Sequence, residues 1–211
     1  MSFDGNNTRV VLRPIANPLP LGFLAFAGGS LMVSGLQLGW LQPTEGHDVA
    51  LILLGFVFPT QLIACVFGYL GRDVVAGTAM GLLAGTWLSF SLVELGAPPG
   101  STSDALGLFL LVVSASLAVP AIAAATGKLV PAAVLTLAVA RFALTGVYQL
   151  TSSSTWEDIS GVVGVVLCGL ALYTALALVL EDARRRTLLP IGRRDARDGG
   201  IRKEAGVRAQ L

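Results

Sequence analysis

The residue that stands out chemically is Arg141, an ionisable side chain inside a long apolar run, with Thr145 one helical turn after it. An ionisable residue at membrane depth is costly, and it is a functional hypothesis by default. Arg141 precedes Gln149, near the end of the run, by about 12 Å at the rise of an α-helix. Two interpretations stay open. Arg141 attracts an anion into an outer vestibule, so that Arg141→Gln lowers anion uptake, or its side chain extends to the surface or pairs with Glu94.

Groups that could catalyse a reaction are scarce in the rest of the chain. The one histidine, His47, lies in a polar loop, and Glu94 stands at the very end of an apolar run. Cys65 and Cys168 lie in separate apolar runs, which gives neither a disulfide framework nor a metal-binding motif. An enzyme inside a membrane needs paired nucleophile, base or ligand groups at depth. We therefore expect that the protein is not an enzyme and holds no cofactor and no metal.

The elements that position these residues are six apolar runs. The chain is 54% hydrophobic and only 13% charged, whereas soluble domains carry about 25% charged residues. A bilayer core needs about 20 helical residues, and runs of that length cover residues 21–41, 49–70, 74–95, 104–125, 129–149 and 159–180. The sequence therefore predicts an all-α membrane protein, a bundle of six transmembrane helices over residues 17–192. Residues 1–16 precede the bundle, and residues 193–211 form a basic tail.

The distribution of basic residues predicts the orientation of these helices. None of the 14 Lys and Arg residues lies in the loops 42–48, 96–103 or 150–158, whereas Arg72 and Lys128 occupy the two short turns on the opposite side. Cytoplasmic loops of membrane proteins are enriched in Lys and Arg. We therefore expect both termini in the cytoplasm and a multi-pass protein of the cell membrane. The net charge of +1 gives no indication of a nucleic-acid partner.

Small residues recur at every fourth position in two of the predicted helices. The third helix carries Gly77, Gly81, Gly85 and Ser89, and the first repeats the pattern with Gly35 and Gly39. Such a stripe lets two helix backbones approach closely in a membrane. It predicts close packing, within one protomer or between protomers, and no chemistry.

Three motifs resemble those of a known family. The segment Asn17-Pro18-Leu19-Pro20-Leu21-Gly22-Phe23 resembles N-P-A-P-L-G-L, the signature of the acetate uptake transporter family, and departs from it at Leu19 and Phe23. The family's pattern in the second and third helices matches without a gap at Gln61, Ala64, Thr78, Ala79, Trp87 and Leu88. The segment Arg186-Thr187-Leu188-Leu189-Pro190-Ile191-Gly192 is similar to the family's closing R-T-x-L-P-I-G. The resemblance covers residues 15–192.

The resemblance implies a homo-hexamer in which each protomer has its own narrow path for acetate and similar monocarboxylates, often with a proton. The family's path narrows at a Phe, a Tyr and a Leu. The Phe falls on Phe26, the Tyr falls on Leu83, and the Leu falls on Thr136 or Leu137, of which we take Leu137. A carboxylate that is common in the family's last helix falls on Leu178. The departures at Leu83 and Leu178 bear on proton coupling and on the range of substrates.

The segment before the first helix also makes physical sense as a substrate entrance. Pro18 and Pro20 cannot donate hydrogen bonds and are expected to end regular structure before the helix starts. The free N–H groups at Leu21 and Gly22, at the positive end of the helix dipole, then receive a carboxylate. Asn17 adds a side-chain donor. The alternative is a plain helix start with Asn17 as a turn residue.

These observations favour transport of acetate and related short monocarboxylates, either channel-like or coupled to protons. Gln61, Thr78, Trp87 and Arg141 are then expected to shape the path or the packing around it. One alternative is a channel for ammonia or another small neutral solute, which the missing tyrosine at Leu83 favours. The other is a non-transporting membrane scaffold or regulator that acts through its basic tail.

Overall fold

The computed structural model describes residues 15–184 and 186–192. Six helices of membrane-spanning length run through this part of the chain and confirm the predicted all-α bundle: α1 Leu19–Gln37, α2 Pro43–Leu70, α3 Val74–Gly96, α4 Asp104–Ala125, α5 Leu129–Thr151 and α6 Ser154–Arg184. No strand occurs among the described residues. The predicted basic tail, 193–211, lies outside them, as do residues 1–14 of the predicted N-terminal segment.

The end of α1 differs from the prediction. The helix ends at Gln37, and Gly39 follows in a turn with a φ of +67°, a backbone conformation that glycine adopts without strain. The N–H of Leu41 returns to the carbonyl of Gly35 at 3.0 Å and closes the turn. Gly35 and Gly39 therefore do not form a helical stripe. Gly35 lies instead against the side chain of Leu41.

The second helix is irregular. It is α-helical over Gly46–Ile52, forms a π-helical turn at Leu53–Val57, and is α-helical again over Phe58–Leu70. Pro59, at the start of the last part, has no N–H to donate. The hydroxyl of Thr60 donates to the carbonyl of Phe56 in the preceding turn. Because lipid offers no partners, a carbonyl freed in a membrane helix needs such a local donor.

The six helices form a closed ring. Each helix packs against the one before it and the one after it in the sequence, and α6 returns to pack extensively against α1. The inner faces of the ring supply one apolar core, in which α1 also contacts α3. The outer faces carry large exposed apolar side chains such as Val119 and Ile122, which suit a lipid environment. Any solute that passes along the ring axis must therefore pass this core.

The small residues of α3 serve two different surfaces. A Cβ on Gly77 would meet the ring of Tyr69 in α2 at 2.8 Å, and a Cβ on Gly81 would meet the sulfur of Cys65 at 2.9 Å. These glycines bring α3 close to α2 within the protomer, as the stripe predicts. Gly85, in contrast, is exposed and has nothing within 4 Å of a Cβ position.

The segment after α6 folds back and closes the start of α5. The carbonyls of Ile191 and Gly192 accept hydrogen bonds from the N–H groups of Val130 at 3.2 Å and Leu129 at 3.0 Å. Tyr173 of α6 donates its hydroxyl to the carbonyl of Pro190 at 2.9 Å. The first N–H groups of a helix have no partner within the helix. The P-I-G motif therefore supplies acceptors for the first N–H groups of α5.

Candidate functional site

The predicted entrance is a capped helix start. The carboxamide oxygen of Asn17 accepts the N–H of Leu19 at 3.0 Å, and α1 begins at Leu19 with Pro20 inside its first turn. The prediction that both prolines end regular structure before the helix was therefore wrong for Pro20, since proline fits the first turn, where no partner for its nitrogen is needed. The N–H of Gly22, which was expected to be free, donates to the carbonyl of Pro18 at 3.2 Å. The donors that remain for a ligand are the side-chain NH₂ of Asn17 and the N–H of Leu21.

Gly22 joins the entrance to the interior of the ring. It is buried, and a Cβ there would collide with the sulfur of Met80 in α3. Its carbonyl accepts the side-chain N–H of Gln61 in α2 at 3.3 Å. The side-chain oxygen of Gln61 is buried without a hydrogen-bond partner in the described part of the chain. Gly22 and Gln61, predicted separately as entrance and path residues, thus lie together at the first turn of α1.

Thr78 takes a different position. Its hydroxyl is hydrogen-bonded to that of Tyr69 at 2.9 Å, across the contact between α2 and α3. The side chain is only partly buried. This placement corresponds to the packing role that the sequence left open for Thr78.

The residues of the predicted constriction belong to one apolar core. Phe26 and Leu83 are fully buried, and Leu137 is partly buried and packs against the same core. Thr136, the other candidate for the third position, is exposed, and its hydroxyl donates to the carbonyl of Ala132. Leu178, at the position of the family's carboxylate, is buried in the core. These placements favour Leu137 as the third residue.

Three aromatic rings form the centre of this core. The ring centroids of Phe26, Trp87 and Phe142 are 6.1 to 6.4 Å apart, with Trp87 edge-on to both phenylalanines. Edge-to-face aromatic pairs are favourable beyond the area that they bury. We call Phe26, Trp87 and Phe142 the aromatic cluster. Phe142 was not predicted, although it lies three residues before Thr145 and therefore on the same face of the helix.

Arg141 lies inside the bundle, with only 1% of its surface exposed. Its guanidinium donates four hydrogen bonds to α1 and α6: to the hydroxyl of Ser34 at 2.9 Å, the carbonyl of Ser160 at 3.0 Å, the carbonyl of Ser30 at 3.3 Å and the side-chain oxygen of Gln37 at 3.4 Å. It neither extends to the surface nor forms an ion pair with Glu94. The second of the two interpretations drawn from the sequence was therefore wrong. The side chain was long enough to reach two neighbouring helices instead.

A continuous hydrogen-bond network surrounds the guanidinium. The side-chain N–H of Gln37 donates to the hydroxyl of Ser160 at 3.4 Å, and that hydroxyl is hydrogen-bonded to Thr145 at 2.6 Å. Thr145 in turn donates to the carbonyl of Arg141 at 3.0 Å. The arginine cluster therefore consists of Ser30, Ser34, Gln37, Arg141, Thr145 and Ser160. Gly164 of α6 makes room for it, because a Cβ there would collide with the guanidinium and with Ser34.

A small cavity adjoins the arginine cluster. It is lined by Val33, Trp87, Phe90, Leu110, Arg141, Phe142 and Thr145. It has room for about one water molecule. The indole N–H of Trp87 is buried and has no hydrogen-bond partner in the described part of the chain. The cavity is thus lined by the charged Arg141 and by two members of the aromatic cluster, of which Trp87 carries the unsatisfied donor.

The described residues contain no group of three or more His, Cys, Asp or Glu side chains that could hold a metal ion.

Comparison with known proteins agrees with the resemblance drawn from the motifs. The sequence model of the GPR1/FUN34/yaaH family matches residues 2–191. Acetate permease A of Emericella nidulans is 30% identical over 84 residues, which are 40% of this chain and only 28% of the length of that curated relative. The solved structure of the bacterial acetate channel SatP superposes with a TM-score of 0.75 at 22% identity, over 84% of this chain and 99% of that one. At this identity the superposition shows a shared fold.

Proposed function

Because the chain belongs to the GPR1/FUN34/yaaH family, we propose that it carries acetate and related short monocarboxylates across the cell membrane. The observation that carries the proposal is the order of groups along α1. At its start the side-chain oxygen of Asn17 accepts the N–H of Leu19, which leaves the NH₂ group of Asn17 as a donor, and Phe26 follows, fully buried in the apolar core. Donors suit a carboxylate, and an apolar core admits a short alkyl group. The names of acetate permease A and the acetate channel SatP support the same substrate class.

The apolar core bears on how the solute crosses. Phe26, Leu83 and Leu137 offer a carboxylate no side-chain hydrogen bond, and an ionised carboxylate without partners in an apolar medium is strongly disfavoured. A protonated acid loses much less on leaving water. We therefore propose that a proton crosses with the carboxylate, and we expect an inward proton gradient to accelerate uptake. The distribution of basic residues supports an entrance at Asn17 on the cytoplasmic side.

The proposal extends to the assembly of the protein. We infer a homo-hexamer in which each protomer keeps its own path inside its ring of helices. The outer faces support this inference. In α2 and in α4, only 33% of the most apolar stretch of the helix is buried within the protomer. Gly85 on α3 is exposed and leaves room for a close neighbour. The remaining outer surface faces the lipid bilayer.

One observation favours a second candidate, a channel for ammonia or another small neutral solute. Leu83 is fully buried in the core, and leucine has no hydroxyl that could receive a carboxylate. A constriction without hydrogen-bond donors admits a small neutral molecule more easily than an anion.

Purified protein in liposomes separates these functions. We expect labelled acetate to enter faster than into protein-free liposomes, and faster still under an inward proton gradient. Flux of ammonia without flux of acetate would replace the proposal with the second candidate. If neither solute crosses while cells need residues 193–211 for the protein's effect, the protein is a scaffold or regulator, and the transport proposal is wrong.

A substitution at Asn17 separates its capping role from a role in receiving substrate. Asp keeps the oxygen that accepts the N–H of Leu19 but removes the side-chain donor and adds a negative charge. We expect Asn17→Asp to lower acetate uptake about tenfold with little change in melting temperature. Asn17→Ala, which loses the cap, is expected to cost about 1 kcal/mol of stability. Uptake that is unchanged in Asn17→Asp would limit Asn17 to capping the helix.

A further inference from the structure

We propose that the arginine cluster and its cavity form an internal binding site for one short monocarboxylate, formate or acetate, separate from the entrance at Asn17. This inference rests on the proposed function, because it places the substrate class at a defined point of the path. Three independent features of the site carry it: an uncompensated charge, an unsatisfied donor and an adjoining space.

The first feature is the charge of Arg141. A guanidinium stays protonated in proteins, and its four acceptors here are neutral hydroxyl, carbonyl and amide oxygens. No carboxylate of the described residues contacts it. A buried charge without a counter-charge is strongly unfavourable. A monovalent anion in the adjoining cavity supplies the missing charge, and a guanidinium is suited to the planar carboxylate group.

The second feature is the set of donors that remain available. A guanidinium has five N–H groups, and the four hydrogen bonds to α1 and α6 all come from its two terminal nitrogens, so its Nε–H takes no part in them. Trp87 lines the same cavity, and its indole N–H is buried without a partner among the described residues. A buried donor without an acceptor is unfavourable. A carboxylate between Arg141 and Trp87 satisfies both donors.

The third feature is the shape of the space. The rest of the lining is largely apolar and includes Val33, Phe90, Leu110 and Phe142. Such walls suit a hydrogen atom or a methyl group attached to the carboxylate. The cavity has room for only about one water molecule, so a ligand must displace wall side chains slightly. Formate and acetate therefore bind best, and affinity falls as the alkyl chain lengthens.

The position of the site gives it a role in transport. Trp87 and Phe142 belong both to the cavity lining and to the aromatic cluster. A carboxylate held at Arg141 is therefore directly beside the constriction at Phe26. The site holds the anion before or after it crosses the apolar core.

The test uses Trp87 as the reporter. The chain has three tryptophans, and Trp40 and Trp156 are exposed, so Trp40→Phe together with Trp156→Phe leaves Trp87 as the single emitter. In this background we expect formate and acetate to change the emission of Trp87 in a saturable way, with gluconate without effect. Arg141→Gln is expected to weaken acetate binding more than about tenfold, a loss of more than about 1.4 kcal/mol. Arg141→Lys keeps the charge and weakens binding less.

A second variant keeps the test decisive if Arg141→Gln does not fold. Trp87→Phe, made in the wild-type chain, removes the indole N–H but keeps an aromatic ring, and we expect it to reduce the acetate-dependent rise in melting temperature. An unchanged rise in Trp87→Phe, or emission of Trp87 that acetate does not alter, would overturn the site even if the wild type transports acetate. Saturable binding without acetate flux in liposomes would keep the site and refute the proposed function.

Discussion

Replacing Gly164 with alanine is expected to destabilise the protein by about 3 kcal/mol or more, because overpacking adds to the loss of hydrogen bonds to a charged group. The new methyl group would occupy the space of the Arg141 guanidinium and of the Ser34 hydroxyl. Arg141 is fully buried and tied to both α1 and α6, so it cannot move aside without breaking that contact. Thermal melting of the purified protein in detergent measures the effect, and acetate uptake should fall with it.

Gly169 provides a matched control in the same helix. It is exposed, and nothing lies within 4 Å of a Cβ position there. Gly169→Ala is expected to leave the melting temperature unchanged or to stabilise the helix by about 0.5 kcal/mol. Equal melting temperatures of Gly164→Ala and Gly169→Ala would contradict the packing of Arg141 against α6.

Shortening Phe26 is expected to change the selectivity of transport more than any other single substitution. Phe26→Ala removes one ring of the aromatic cluster and the first residue of the constriction, and Leu83→Ala removes the second. Each substitution widens the path, so larger acids such as succinate should enter liposomes about tenfold faster than with the wild type. The lost packing is expected to cost about 2–5 kcal/mol of stability. Parallel uptake of labelled acetate and labelled succinate measures the ratio.

Phe67 is the control for this experiment. It lies on α2, is 44% exposed on the outside of the ring, and loses the same atoms in Phe67→Ala. We expect its ratio of succinate to acetate uptake to equal that of the wild type. If Phe26→Ala and Leu83→Ala also keep that ratio while they remain folded, the constriction lies elsewhere along the path.

The sequence predicts the elements of this fold well and their contacts poorly. Run length and composition are enough for six helices, because a bilayer imposes a minimum length on each span. The ends of the helices depend on local hydrogen bonds instead. With Asn17 as its cap, α1 begins at Leu19, two residues before its predicted start, and Gly39 ends it early through a positive φ.

Arg141 shows why the candidate site could be predicted only in part. Its burial depth follows from its place in an apolar run, which the sequence contains. Its hydrogen-bond partners cannot be predicted in this way. Ser34 is 107 residues away in the chain and becomes a neighbour only when α6 closes the ring between α5 and α1. The same holds for Phe142, whose contacts with Phe26 and Trp87 depend on the order of helices in the ring.

Acetate entry into liposomes that contain the purified wild-type protein, with equal pH on both sides, tests the central claim most directly. The proposal predicts an initial rate above that of protein-free liposomes, saturation with acetate concentration, and inhibition by unlabelled formate. A rate equal to that of protein-free liposomes, measured on protein that remains folded and monodisperse, would contradict it.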